Sequence, residues 1–99
     1  MRIIKLAKFS RWYKKLDINQ RTEIDVRLTR ILVDSNFGFS KKLGKVSELK
    51  FKSGLRVYYA FDGKNLVLLL NGGSKNNHKE QARDISTAKQ VYQEYLNDK

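Results

Sequence analysis

The 99-residue chain has no cysteine, no proline and a single histidine, His78. Without cysteine there are no disulfides and no thiolate metal ligands, and one imidazole is too few for a dedicated zinc site. Long apolar runs are missing as well. The longest, such as "LVLLL" at 66 to 70, fall far short of the roughly 20 residues of a spanning helix, and the opening "MRIIKLAKFSRWYKK" lacks the apolar centre of a secretory signal. The expectation is a cytoplasmic protein with no cofactor, no metal and no membrane partner. Acid is scarce too: 10 Asp and Glu stand against 21 Lys and Arg, a net charge of +11. A surface of that sign attracts polyanions, nucleic acid foremost, although acidic lipid or an acidic protein segment meets the same description.

The basic excess is not a detachable tail. Six basic residues and no acid fall within positions 1 to 16, but the excess continues through "KKLGK" and into the stretch that follows. No repeat, linker or low-complexity tract interrupts the chain, so residues 1–99 are expected to form one domain. With proline absent, Gly and Asn mark the breaks. "RIIKL" has the composition of a short strand, and Phe9, Trp12, Tyr13 and Leu16 recur at helical spacing. A second helix is predicted from about Asp17 to Asp34, burying Ile24, Leu28, Ile31 and Leu32, followed by a loop, "SNFGFSKKLG". Three strands come next. A final helix opens at Asn77, with Glu80 three residues on as in a capping box, and carries a stripe of Ile85, Ala88, Tyr92, Tyr95 and Leu96. The predicted fold is α+β, an antiparallel meander with helices packed on one face, in the order β-α-α-β-β-β-α.

The stretch "ELKFKSGLRVYYAF", residues 48 to 61, carries the chemistry. Parity puts Glu48, Lys50, Lys52, Arg56 and Tyr58 on one face if the loop joining its two strands has an odd length. A three-residue loop, 53 to 55 with Gly54 at positive φ, sets Lys52 opposite Arg56 and Lys50 opposite Tyr58. The "DG" at 62 and 63 predicts a two-residue hairpin, which aligns Leu66, Leu68 and Leu70 with Val57 and Tyr59 on the core side. Gly72-Gly73 is expected to be a turn. The charged face has two readings. It is the wetted side of a small sheet, or it is a site that grips and cleaves a phosphodiester: Glu48 as base, Lys50, Lys52 and Arg56 as phosphate clamp, Lys75 or His78 as proton donor, and Tyr58 as a stacking surface for a base. Lys41, Lys42 and Lys45 extend the basic surface for RNA.

The ordered strings "FSRWYKKL", "RTEIDVRLTRI", "NFGFSKKLG", "VSELKFKSGLRVYYAF", "LVLLLNGGSK" and "DISTAKQVY" together resemble the RelE/ParE superfamily, and within it the HigB-like, phage-derived branch of addiction module killer proteins. The resemblance implies a RelE-like fold. It also implies the toxin of a type II toxin–antitoxin module, a metal-independent endoribonuclease that cuts messenger RNA in the ribosome, with the ribosome, mRNA and a helix-turn-helix antitoxin as partners. The family's catalytic positions map to Glu48, Lys50, Arg56 and Lys75, with Lys52, Tyr58 and His78 beside them. A gyrase inhibitor of ParE type and a basic nucleic-acid adaptor are the alternatives, and neither needs a carboxylate among cations.

Overall fold

Two helices follow the first strand because their apolar residues recur every three to four positions. A computed structural model describes residues 1–74 and 77–99 of the chain. In it β1 spans Arg2–Lys5, α1 Ala7–Lys14, α2 Ile18–Asp34, β2 Ser40–Leu43, β3 Val46–Lys50, β4 Leu55–Asp62, β5 Leu66–Ser74 and α3 His78–Asn97. Asp17 caps α2 by accepting from the Gln20 N–H at 2.8 Å, while Gln20 Oε1 accepts from the Asp17 N–H at 3.0 Å. That reciprocal pair satisfies two amide donors the helix cannot use itself. Ile24, Leu28 and Ile31 are buried as the spacing requires, but Leu32 stands 47% exposed, because the sheet-facing stripe is narrower than four residues per two turns.

The α+β class and the predicted elements are present, with one strand added. Ser40–Leu43, inside the segment expected to be a loop, pairs antiparallel with β3 and closes the sheet at one edge. The sheet order is β1-β5-β4-β3-β2, so β2 to β5 form an antiparallel meander and β1 lies parallel to β5 at the other edge. Lysines at 41 and 42 keep the β2 edge solvated, a common guard against edge-to-edge pairing.

Helices cover both faces of the sheet, not one. Phe9 of α1 and Ile24, Leu28 and Ile31 of α2 pack with Leu49, Val57, Tyr59, Val67 and Leu69. On the opposite side α3 lays Ile85, Ala88, Val91, Tyr92 and Tyr95 against Tyr58, Ala60, Leu68 and Leu70. A strand buried on both faces has no polar side to display, which is why β5 opens with "LVLLL". The β4–β5 turn explains the leucine faces. Asp62 pairs with Leu66, leaving three residues in the turn rather than two, so Leu66, Leu68 and Leu70 fall on the α3 side and Val67 and Leu69 join Val57 and Tyr59. One residue of turn length inverts a whole strand.

Near its end β5 carries one extra residue. Tyr59 pairs with Leu69 but Tyr58 pairs with Asn71, so the ladder slips by one and the strand bends there. Gly72 and Gly73 lie beyond that bulge within β5, not in a turn. They are contact points: a methyl on Gly72 would strike the Trp12 indole of α1, and one on Gly73 would strike the Asp84 carboxylate of α3. The absence of side chains at these two positions lets a helix approach each face closely.

Candidate active site

The charged residues of β3 and β4 do share a face, as parity requires, although the register differs from the expected one. Glu48 pairs with Tyr58 and Lys50 with Arg56, with residues 51–55 connecting Lys50 to Arg56. The connection is odd in length but two residues longer than expected, because the Phe51 N–H donates to the Leu55 carbonyl and both side chains turn into the core. Gly54 does take a positive φ, 97°. Lys52 falls outside the ladder and is exposed, no longer opposite Arg56.

This face is not wet. Residues Glu48, Arg56 and Tyr58 are 1%, 8% and 0% exposed, lying on the side of the sheet that α3 covers. Glu48 Oε2 stands 2.9 Å from Arg56 Nη1, and Glu48 Oε1 stands 4.0 Å from Lys50 Nζ. One carboxylate thus faces two cations, which leaves the group with a net positive charge. Among the described residues, Arg56 Nε is buried with no hydrogen-bond partner, and the Tyr58 hydroxyl is buried close to the Glu48 carboxylate. Native interiors leave few such groups, and a water or a ligand atom is what ordinarily satisfies them. Burial raises the Tyr58 phenol well above its usual value, with the negative charges of Glu48 and Asp84 adding to the shift. Tyr58 thus stays a neutral hydroxyl, and at 0% exposure it is not placed to stack on a base.

Lys50 is the cation that bridges this interior to solvent, its side chain 28% exposed. Lys41, the cross-strand neighbour of Glu48 on β2, is exposed on the same face, whereas Lys42 is opposite Ser47 and Lys45 occupies the β2–β3 turn. His78 is exposed in the first turn of α3, just after Asn77, whose side chain accepts from the Glu80 N–H at 2.8 Å. Lys75 lies outside the described residues.

Two residues that join the cluster carry no motif of their own. Asn71, 6% exposed, donates to the Asp84 backbone carbonyl at 3.2 Å, and its Oδ1 has no hydrogen-bond partner among the described residues. Asp84 sits over Gly73, itself the cross-strand neighbour of Arg56. Burial raises its carboxyl above the usual value, Glu80 adds to the rise, and Arg83 partly offsets it. The signal for both was "NGGS": a glycine pair flanking a polar residue in an otherwise apolar strand marks a close approach by another element. Among the described residues, no group of three or more His, Cys, Asp or Glu is close enough to hold a metal ion. No helix among them is long and apolar enough to cross a membrane.

A cavity of about 210 Å³ opens beside the cluster at the β3–β4 connection, where Phe39, Lys50, Lys52 and Arg56 contribute to its wall. An anion entering there would meet three cations. The arrangement is suited to holding a phosphate and stabilising extra charge on its oxygens.

The model of the family described as Phage derived protein Gp49-like matches residues 11–93. Among solved structures, the isolated RelE toxin of E. coli aligns with a TM-score of 0.65 at 18% identity, covering 86% of this chain and 95% of that one. A mutant of E. coli RelE in the free state gives 0.63 at 19% identity over 98% and 95%. The toxin–antitoxin complex RelBE of E. coli gives 0.61 at 17% identity over 77% and 98%. The fold is RelE-like. No curated protein matches the sequence.

Proposed function

Since the chain belongs to the phage-derived Gp49-like family, we propose that it is the toxin of a type II toxin–antitoxin pair, an endoribonuclease that cuts messenger RNA on the ribosome by metal-independent attack of the ribose 2′-hydroxyl. The observation that carries this reading is the buried Glu48–Arg56 pair, with Lys50 beside it at the edge of the cavity. An apolar substitute of similar volume would serve the fold as well or better, because a buried ion pair seldom repays its own desolvation. Its cost is intelligible if the guanidinium is needed at a fixed place.

In this mechanism the scissile phosphate enters at the cavity and meets Arg56 and Lys50, which stabilise the charge that builds on its oxygens as the 2′-oxygen bonds to phosphorus and the 5′-oxygen departs. Glu48, at 1% exposure, acts from behind by fixing both cations. That differs from the role of base foreseen for it, since a ribose does not reach a carboxylate so covered. One proton must leave the 2′-hydroxyl and another must reach the 5′-oxygen. His78, exposed at the start of α3, and Lys75 are the proposed carriers. Lys52, Lys41, Lys42 and Lys45 hold the flanking strand. E. coli RelE is known in complex with the RelB antitoxin. The partner proposed here is correspondingly a cognate antitoxin with a helix-turn-helix DNA-binding part, acting in the cytoplasm.

The test is single-turnover cleavage on programmed ribosomes, with primer extension to map the cuts. Lys50→Ala is the informative variant, since Lys50 is partly exposed and its loss leaves the Glu48–Arg56 pair intact. Cleavage should fall by about 10² to 10³, comparable to removing one donor from an oxyanion site, with ribosome binding weakened far less. Uncut transcripts beside broken chromosomal DNA in expressing cells would overturn the nuclease reading in favour of a gyrase inhibitor.

A further inference from the structure

The exposed aromatic ring of this surface is Phe39, not Tyr58. Phe39 is 70% exposed immediately before β2, and what sets it apart from other exposed apolar side chains is the group of cations around it. The ring is presented by a fixed backbone. The Phe39 carbonyl accepts from the Lys50 N–H and from Arg27 Nη2, each at 3.0 Å. Arg27 in turn binds the carbonyls of Lys50 and Phe37 at 2.7 and 2.8 Å and lies 4.6 Å from the centroid of the Phe51 ring. Gly38, at a φ of +65°, separates the two phenylalanines of "NFGF": Phe37 stacks on Tyr59 at 5.2 Å, and Phe39 is left outside.

Charge surrounds the ring. Lys50 Nζ is 5.4 Å from the Phe39 centroid and 4.0 Å from Glu48 Oε1, so a single side chain connects the ring to the charged cluster. Phe39 also shares the cavity wall with Lys52 and Arg56, and among the described residues no acidic side chain lines that cavity. Three cations beside one exposed aromatic suit a ligand that is anionic along its backbone and flat along its side groups. An apolar protein segment docking there would have to strip water from the cations without compensation.

Resting on the nuclease reading above, we propose that Phe39 is the stacking platform for a nucleobase adjoining the scissile phosphate, with Lys50 and Lys52 holding the phosphates on either side of that base. The site takes single-stranded RNA and discriminates little between bases, because every base offers a π-face. Phe39 is a binding and positioning residue that leaves the electrostatics at Arg56 unchanged.

The test compares the full-length chain with Phe39→Ala, Phe39→Leu and Phe39→Trp, using fluorescence anisotropy on short uridine and adenosine oligoribonucleotides and single-turnover cleavage on programmed ribosomes. Circular dichroism checks the fold, which an exposed side chain should not disturb. Ala and Leu are each expected to weaken RNA binding by about 5- to 150-fold, the usual range for one lost stack, while Trp restores it and its fluorescence is quenched by the base. The cleavage rate at saturating protein should change far less than the affinity. Wild-type affinity in Phe39→Ala, in a protein that does bind and cut RNA, overturns the stacking role alone. Retained affinity in Phe39→Leu also overturns it, since the ring then acts as a plain apolar surface of the kind a protein partner would use. A wild-type chain that neither binds nor cuts RNA overturns the nuclease reading and this inference together.

Discussion

Removing Arg56 should destabilise the fold before it says anything about catalysis. Arg56 is 8% exposed and its guanidinium is 2.9 Å from a carboxylate that is 1% exposed. Arg56→Ala leaves Glu48 buried with Lys50 Nζ at 4.0 Å as its remaining neighbouring cation among the described residues. Breaking a buried pair on one side costs about 3 to 5 kcal/mol, against a total stability of about 5 to 15 kcal/mol for a domain of this size. At about 4 to 8 °C per kcal/mol, the midpoint should drop by about 12 to 40 °C. Removing both partners is a different perturbation. Glu48→Met with Arg56→Met deletes both charges and fills the space with side chains of similar reach, so stability should return to about the wild-type value or exceed it. Urea unfolding followed by far-ultraviolet circular dichroism, on wild type, the two single variants and the double, gives the coupling energy directly. If Arg56→Ala unfolds within about 0.5 kcal/mol of wild type, as surface substitutions do, the pair is not held in a dry interior. The face is then an ordinary solvated one and the reasoning fails.

Two further outcomes follow from neighbouring contacts. Asp84 has a carboxyl raised by burial above its usual 3.8, so the native state holds its proton to higher pH than the unfolded chain does. Stability attached to this group therefore falls as pH rises from the usual value through the raised one, and Asp84→Asn should raise the melting temperature near pH 7 while giving no gain below about pH 3.8, the usual value. Melts across that interval check the sign, and a gain independent of pH would refute it. Gly72→Ala should cost about 1 to 3 kcal/mol because the added methyl meets the Trp12 ring. Trp12→Leu in the same chain should relieve most of that penalty, which chemical denaturation of the two variants together would show.

Much of this fold was legible in the sequence because periodicity survives folding wherever one face of an element is buried. Asp17 with Gln20, the stripe of Ile24, Leu28 and Ile31, and the odd loop that sets Glu48, Arg56 and Tyr58 on one side all obey local rules. Three features escaped for physical reasons. Strand β2 is short, polar and on an edge, so it lacks the alternation that betrays a half-buried strand. The turn after Asp62 has three residues, and nothing in "DG" distinguishes that from two, so the leucines of β5 were assigned to the wrong face. Placement of α3 on the opposite side from α1 and α2 is a tertiary fact. A charged face reads as solvated in sequence whether or not a helix covers it, and only the doubly apolar run of β5 hints that both sides are occupied. Phe39 was hidden similarly. Its neighbour Phe37 has the same parity, and the left-handed residue between them sends one ring inward and leaves the other out.

The pairing of β1 with β5 also bears on how the protein comes into being. Residues Ile3 and Ile4 find their backbone partners at Val67 and Leu68, so β1 must wait through two helices and three strands for its neighbour. Contacts so distant in sequence delay folding, because the loop they close has to be ordered before they repay it. During synthesis every shorter chain lacks this edge of the sheet, and the cover that α3 provides over Glu48, Arg56 and Tyr58 is added later still. A nascent chain thus reaches the covered Arg56 site only after α3 has been made, and not in stages. For a protein proposed to act on the machine that makes it, that order of assembly leaves a chain without α3 lacking the cover that holds Glu48, Arg56 and Tyr58 in a dry interior.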